Sequence, residues 1–414
     1  MVGDRAIVAV LVAVMFTSAA DLLVMTPVLP TIADELGVGP DVGGLWVTAY
    51  AVATGLFALV FGPVSDRFGR RTVLRTGMAV LLVGTSACAF ASGFFEMLAA
   101  RFVAGAGAGM LVTSTTSYAG DHFPANRRAV AMGWIMGGFF LALILAVPLG
   151  AFLAGAVGWD RMFLALSGLA ALVGVGILLL PPPREETRSQ RLSLRAVAGT
   201  YRALLGDPRV LGVLAMSFSV GLAMTMFSVY SSPWLAETFG LDVTHRGLVY
   251  AAGGPAVLIG GPLAGRLSNH LGRVSLVVAG SILMGLMQLC MPWTATLADR
   301  WGASSFEGFA PFGDRPWPLV VPALVVFFLA LAAGATRSGP FQTLALEVAP
   351  PDRRGAVSAL RNGFNQVGSG LGAATGGFLW NRLDPAYGAI CLLAAAVTFA
   401  GAGALRWLVG SDRP

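Results

Sequence analysis

There is no lysine in this chain: all 27 positions counted as lysine or arginine are arginine. Charge of either sign is scarce, at 12% of 414 residues, against 56% hydrophobic residues. A soluble protein of this length needs a more polar surface, and no polar stretch is long enough to supply a separate soluble domain. Without lysine there is no phosphate-binding loop of the usual kind, and no glycine string follows a strand pattern, which argues against nucleotide binding. Cysteine is rare too. Cys88, Cys290 and Cys391 lie in apolar runs, with neither a disulfide framework nor metal-ligand spacing. The three histidines, His122, His245 and His270, fall in loops without periodicity and are expected to be solvated rather than ligands. No nucleophile–base set is visible, so neither an enzyme, a metal nor a cofactor is expected. The net charge of +6 would elsewhere suggest nucleic acid. Here the arginines cluster in short loops, where membrane topology accounts for them. Arginine-only usage suggests a GC-rich bacterial genome.

What the chain does have is a dozen long apolar runs. They cover 6–29, 44–64, 73–94, 96–119, 129–155 and 162–180, then 210–232, 247–267, 274–295, 319–346, 355–379 and 386–409. Each can cross about 30 Å of hydrocarbon at about 1.5 Å per residue. The expectation is an all-α membrane protein of twelve transmembrane helices. The first run resembles a signal-peptide core but has no convincing cleavage site, and reads as a retained helix. Most loop arginines fall on the side of the two termini. The positive-inside rule then puts both termini and the central loop in the cytoplasm, with the chain in the bacterial inner membrane.

Internal repetition divides the chain into residues 1–180, a linker at 181–208, and residues 209–414. "LPTIADELGV" at Leu29 returns as "SPWLAETFGL" at Ser232, and "GPVSDRFGR" at Gly62 returns as "GRLSNHLGR" at Gly265, both 203 residues on. "DHFPANRRAV" at Asp121 returns as "EVAPPDRRGA" at Glu347, 226 residues on. Two related six-helix bundles around a midplane cavity form a transporter architecture. The linker opens on three prolines and carries Arg184, Arg188, Arg191, Arg195 and Arg202. Leu194, Val197, Tyr201 and Leu204 share a helical face, consistent either with a helix lying on the inner leaflet or with a solvated linker.

Six plus six helices, the G-x-x-x-D-R-x-G-R-R loop at Gly62–Arg71 and its degenerate copy at Gly265 resemble the major facilitator superfamily. "LAARFVAGAGAGM", with Arg101, resembles the family's fourth-helix signature. "DLLVMTPVLP", from Asp21, resembles the first helix of the twelve-helix drug:proton antiporters and their sugar- and metabolite-exporting relatives. "AVPLGAFLAG" resembles the fifth-helix signature of efflux members, with Val147 before Pro148 and Ala151 after Gly150 as departures. The resemblance implies a cytoplasmic gate of Gly62, Asp66, Arg67, Gly69, Arg70, Arg71 and Asp121. Asp66 would cap the inner end of helix eleven near Gly355, and Arg70 would pair with Asp121. The loss of the acid in the copy, where Asn269 replaces Asp66, suggests a charge role confined to the first half. Monomers are the usual state in this superfamily.

Charged residues inside spans are costly and mark function or pairing. Asp21 lies about 12 Å from the outer end of helix one, and Arg101 about 8 Å from that of helix four. In the resembling fold both helices line the cavity, so the two form a candidate ion pair that opens when Asp21 takes up a proton. The alternatives are a structural carboxylate and an arginine tied to neighbouring carbonyls. Arg337 and Arg361 lie deeper from the inner side, where the repeat has Leu111 and Ile135. Arg361, Asn365 and Ser369 recur every four residues on one face, with Gln366 beside them. Either this face lines the cavity, or Arg361 pairs with Asp66 and Arg337 with Glu347 as inner locks. If both arginines face the cavity, three cations stand against one acid, which favours an anionic or zwitterionic substrate. Tyr50 and Tyr230 are cavity candidates, whereas Trp46 and Trp234 suit an interfacial belt.

The leading expectation is proton-coupled export of a small organic compound, drug-like or metabolite, by alternating access. Facilitated passage of an anionic or lipid-like metabolite and a transport-inactive membrane sensor are the alternatives. The partners are the substrate, protons and the bilayer, without nucleic acid.

Overall fold

The structure, a computed structural model, describes residues 3–182, 194–251, 253–301, 317–349, 353–383 and 386–410. Among them there are helices and no strand. The first half contains α1 (Asp4–Leu23), α2 (Met25–Glu35), α3 (Pro40–Phe68), α4 (Arg70–Ala89), α5 (Phe94–His122), α6 (Ala125–Leu141), α7 (Val147–Val157) and α8 (Trp159–Leu179). After α9 (Leu194–Leu205) come α10 (Pro208–Phe239), α11 (Val243–Ala251), α12 (Gly253–Leu271), α13 (Arg273–Cys290), α14 (Trp293–Trp301), α15 (Trp317–Val348), α16 (Arg354–Arg382) and α17 (Ala386–Val409). Among the described residues, ten helices are long and apolar enough to cross a membrane. The other two expected crossings correspond to α11–α12 and to α16. The latter is 29 residues long but carries Arg361, Asn362, Asn365 and Gln366.

Proline shapes the breaks. The first crossing divides at Val24, ahead of Pro27 and Pro30, whose rings remove backbone donors to the preceding turn. The fifth crossing carries a π-helical turn, Ala142–Ala146, just before Pro148. Such a turn absorbs the missing hydrogen bond without ending the helix.

The repeat is written in the backbone. Gly37 and Gly240 have φ of 66° and 59°, and Gly69 and Gly272 have 91° and 78°. Both pairs are separated by the 203-residue offset, at sharp turns where only glycine avoids a Cβ penalty. The halves meet along glycine-lined seams. A Cβ on Gly363 of α16 would lie 2.9 Å from Leu59 of α3, and one on Gly370 would lie 2.8 Å from Val52. Thr48 donates across this seam to Gly370 O at 2.9 Å. A second seam joins α7 to α11, where Gly155 faces Val243 and Gly247 faces Ala151.

Packing here bears on three expectations. Tyr201 and Leu204 of α9 pack on Val210, Leu214, Val357 and Leu360 at the terminal end of the bundle. This part of the linker's apolar face therefore covers protein; the side chains of Leu194 and Val197 lie outside the described residues. His122 is buried at the end of α5, stacked on Tyr118 with ring centroids 5.7 Å apart and 3.7 Å from Asp4, instead of solvated. Trp46 is likewise buried, and its Nε1 donates to Phe94 O at 3.1 Å.

Candidate functional site: a buried ion pair and a central cavity

Asp21 and Arg101 meet inside the first half. Arg101 Nη1 donates to Asp21 Oδ2 at 3.0 Å and to Asp21 O at 3.2 Å. Thr85 Oγ1 of α4 donates to the other carboxylate oxygen at 2.8 Å. Arg101 is 0% and Asp21 1% exposed. The Arg101 guanidinium lies over the Tyr50 ring, 4.2 Å from its centroid, so a π face takes part of the charge. Tyr50 OH donates to Ser18 O at 3.2 Å. Arg101 Nε and Nη2 are enclosed without a hydrogen-bond partner. A charge so buried is tolerable because it is paired and hydrogen-bonded.

This cluster does not line the central cavity. The cavity, of about 320 Å³, lies between the halves and is lined from α1 and α2 by Leu22, Leu23 and Thr26. Successive residues of a helix point about 100° apart at 3.6 per turn, so α1 shows leucines to the cavity and Asp21 to α4 and α5. Tyr50 covers Arg101 and is therefore not a cavity wall. Of the expected cavity residues, Arg337 and Gln366 line it, joined by Ser369. Asn365 Nδ2 instead donates to Ser217 O at 3.1 Å, tying α16 to α10. Tyr230 OH donates to Ala373 O at 2.8 Å, on the α3–α16 seam. Arg361 lies with its guanidinium 6.0 Å from the centre of the Phe341 ring.

At the terminal end, Arg70 Nε lies 3.0 Å from Asp121 Oδ2, the contact implied by the motif, and Arg70 Nη1 donates to Ser65 Oγ at 2.6 Å. Arg71 Nη2 donates to Leu178 O at 2.6 Å, joining α4 to α8. Arg67 stacks on Phe68. A Cβ on Gly62 would meet open space. The side chain of Asp66 lies outside the described residues, and with it the expected cap of α16 and the lock with Arg361. The second half corrects two expectations. Glu347 pairs with Arg273, not with Arg337. Because Arg273 and Glu347 are the repeat equivalents of Arg70 and Asp121, the arginine–acid pair occurs in both halves.

A further group was missed in the sequence. Arg246 of α11 is buried and donates to Thr31 Oγ1 at 3.0 Å, to Asp242 O at 3.3 Å and to Ser232 Oγ at 3.5 Å. Ser232 Oγ in turn donates to Pro27 O at 3.3 Å. These bonds clasp the halves at the end of the bundle opposite the termini.

An MFS-type transporter of Bacillus subtilis, YceJ, is 27% identical over 368 residues, 89% of this chain and 87% of that protein. Multidrug resistance protein D of Escherichia coli is 25% identical over 364 residues, 87% of this chain and 86% of that protein. The crystal structure of a D-xylose-proton symporter superposes with a TM-score of 0.71, covering 95% of this chain and 97% of that one at 18% identity. The family model of the Major Facilitator Superfamily matches residues 11–373. The chain belongs to the Major Facilitator Superfamily.

Proposed function

We propose that the protein is a proton-coupled secondary transporter that exports a small organic compound by alternating access. It would act as a monomer in the bacterial inner membrane with both termini cytoplasmic, a placement supported by the arginine-rich terminal side. It is read as a carrier and not an enzyme, because no set of residues for covalent or acid–base turnover was found in its sequence. Residues 1–180 and 209–414 are the two moving bodies, connected by 181–208.

The observation that carries this reading is the Asp21–Arg101–Thr85 cluster, in which the Arg101 guanidinium pairs with the Asp21 carboxylate. Protonation of Asp21 cancels the charge attraction and releases Arg101, so proton binding would favour a different packing of α1, α4 and α5. Gly105 of α5 supports the coupling, since a Cβ there would lie 2.8 Å from Tyr50 Cα. Movement of α5 therefore pushes α3 directly. The Arg70–Asp121 and Arg273–Glu347 pairs brace each half at the terminal end, with Gly62, Asp66, Arg67, Gly69 and Arg71 forming the rest of the proposed gate.

The test is transport of a panel of drug-like and metabolite compounds in proteoliposomes, with and without an imposed pH gradient. Wild type should move at least one compound faster with the gradient, and Asp21→Asn should lose that acceleration. Gradient-stimulated transport by the asparagine variant at the wild-type rate would end the proposal. A second reading, facilitated passage of an anionic metabolite, is favoured by one observation: among the described residues of the cavity wall the charged side chain is a cation, Arg337.

A further inference from the structure

The central cavity carries a charge imbalance. Among the described residues that line it, Arg337 is the one charged side chain, and no carboxylate accompanies it. Arg337 is only 5% exposed. Its single hydrogen bond among the described residues runs from Nη1 to Ser281 Oγ at 3.4 Å, which is long for such a bond. A guanidinium has five N–H donors and stays charged at physiological pH. Leaving it buried without a counter-charge costs several kcal/mol.

The fold does not require this cost. The equivalent position in the first half is Leu111, which is fully buried. An apolar side chain therefore fits the scaffold at this point, and the arginine is an addition to it. The rest of the wall divides by chemistry. Leu22, Leu23, Phe139, Phe140, Leu143 and Phe327 supply apolar surface, while Gln366 and Ser369 supply neutral polar groups. At about 320 Å³ the space is at the lower end of ligand pockets, which run from about 300 Å³.

We propose that this cavity binds a small monoanionic carboxylate, with Arg337 holding the carboxylate and the apolar wall enclosing a ring system or short alkyl chain. A planar guanidinium matches a carboxylate in bidentate geometry, and one cation without further basic groups suits one negative charge. A doubly charged phosphate would leave a charge uncompensated. An amine would face Arg337 with no acid on the wall to attract it. The proposal rests on reading the chain as a carrier, and it gives that carrier's cargo a charge.

The experiment is calorimetric binding to the purified full-length chain in detergent at neutral pH, using 2-naphthoate, 2-naphthamide, 2-naphthylmethylamine and octanoate. No gradient is present, so failure of proton coupling in liposomes would leave this result untouched. 2-Naphthoate should bind at least tenfold more tightly than the amide or the amine, with octanoate also binding. Arg337→Gln should lose at least tenfold of naphthoate affinity while its melting temperature stays level or rises, because an unpaired buried charge has been removed. Arg337→Lys should keep the preference for the anion at reduced affinity. The proposal is overturned by preference for the amine, by equal binding of naphthoate and its amide, or by no binding of either carboxylate. Unchanged naphthoate affinity in Arg337→Gln, or in Arg337→Lys should the glutamine variant not fold, overturns it equally.

Discussion

Arg101 and Arg337 are buried to nearly the same degree, at 0% and 5% exposure, yet their surroundings are opposite. Arg101 has a carboxylate, a backbone carbonyl and a tyrosine face. Arg337 has one long bond to a serine hydroxyl and a cavity in front of it. A cation that is neutralised within its own half can respond to a proton. One that is left unpaired on a cavity wall can respond to a ligand. In sequence each is an arginine in an apolar run with an acid on offer, Asp21 for Arg101 and Glu347 for Arg337; in the fold Arg101 keeps its acid, whereas Glu347 pairs with Arg273.

The contrast predicts unequal outcomes on substitution. The largest effect is expected at the paired site. Arg101→Gln leaves Asp21 buried without its cation, a change that typically costs about 3–5 kcal/mol, and thermal unfolding of the purified variant should fall by several degrees. The same substitution at Arg337 should leave the melting temperature level or raise it, so a comparable fall there would erase the distinction. Next comes Gly105→Ala. The added methyl meets the Tyr50 backbone, and overpacking of this kind costs about 1–3 kcal/mol. Melting temperature and gradient-driven transport should both drop, whereas Gly120→Ala, with open space at its Cβ, should change neither.

A smaller effect is expected at the clasp opposite the termini. Thr31→Val removes the acceptor of one Arg246 bond while those to Asp242 O and Ser232 Oγ remain, and a typical hydrogen bond contributes about 0.5–1.5 kcal/mol net. Thiol labelling of a cysteine placed on the α2–α11 seam should become faster in Thr31→Val, and an unchanged rate would remove Arg246 from the account of that seam. The smallest effect belongs to the repeated pairs at the terminal end. Asp121→Asn and Glu347→Gln disturb partly exposed ion pairs, worth about 0–1 kcal/mol. Both should slow transport modestly at unchanged ligand affinity, and to a similar extent. A strong loss in one alone would restore a charge role to one half.

The crossings and the two-fold repeat were legible because they are written in composition and in glycine turns. The Gly37–Gly240 and Gly69–Gly272 pairs fall on the 203-residue offset of the repeated segments. Arg70 with Asp121 was legible through the motif, and the Arg273–Glu347 pair was available from the same two offsets. Cavity membership was legible only in part: Arg337 and Gln366 line the cavity, whereas Asp21, Tyr50 and Arg101 do not. Whether Asp21 or Leu22 faces the cavity depends on the rotation of α1, and that is fixed by packing against α5, α6 and α8 and by the bonds from Thr85 and Arg101 rather than by α1 itself. Arg246 escaped for a related reason, since its bond to Thr31 joins residues 215 apart and needs the seam between halves to be known. Trp46 was misplaced because its Nε1 found the Phe94 carbonyl inside the bundle, and His122 because its ring stacks on Tyr118 beside Asp4.

The central claim is that Asp21 is the group that exchanges a proton. Its most direct test is an infrared pH titration of the membrane-reconstituted protein, read at the carboxylic-acid carbonyl band, with Asp21→Asn as the reference. The wild type should show a band that grows as pH falls and is missing from the asparagine variant. Identical titrations of the two proteins would contradict it.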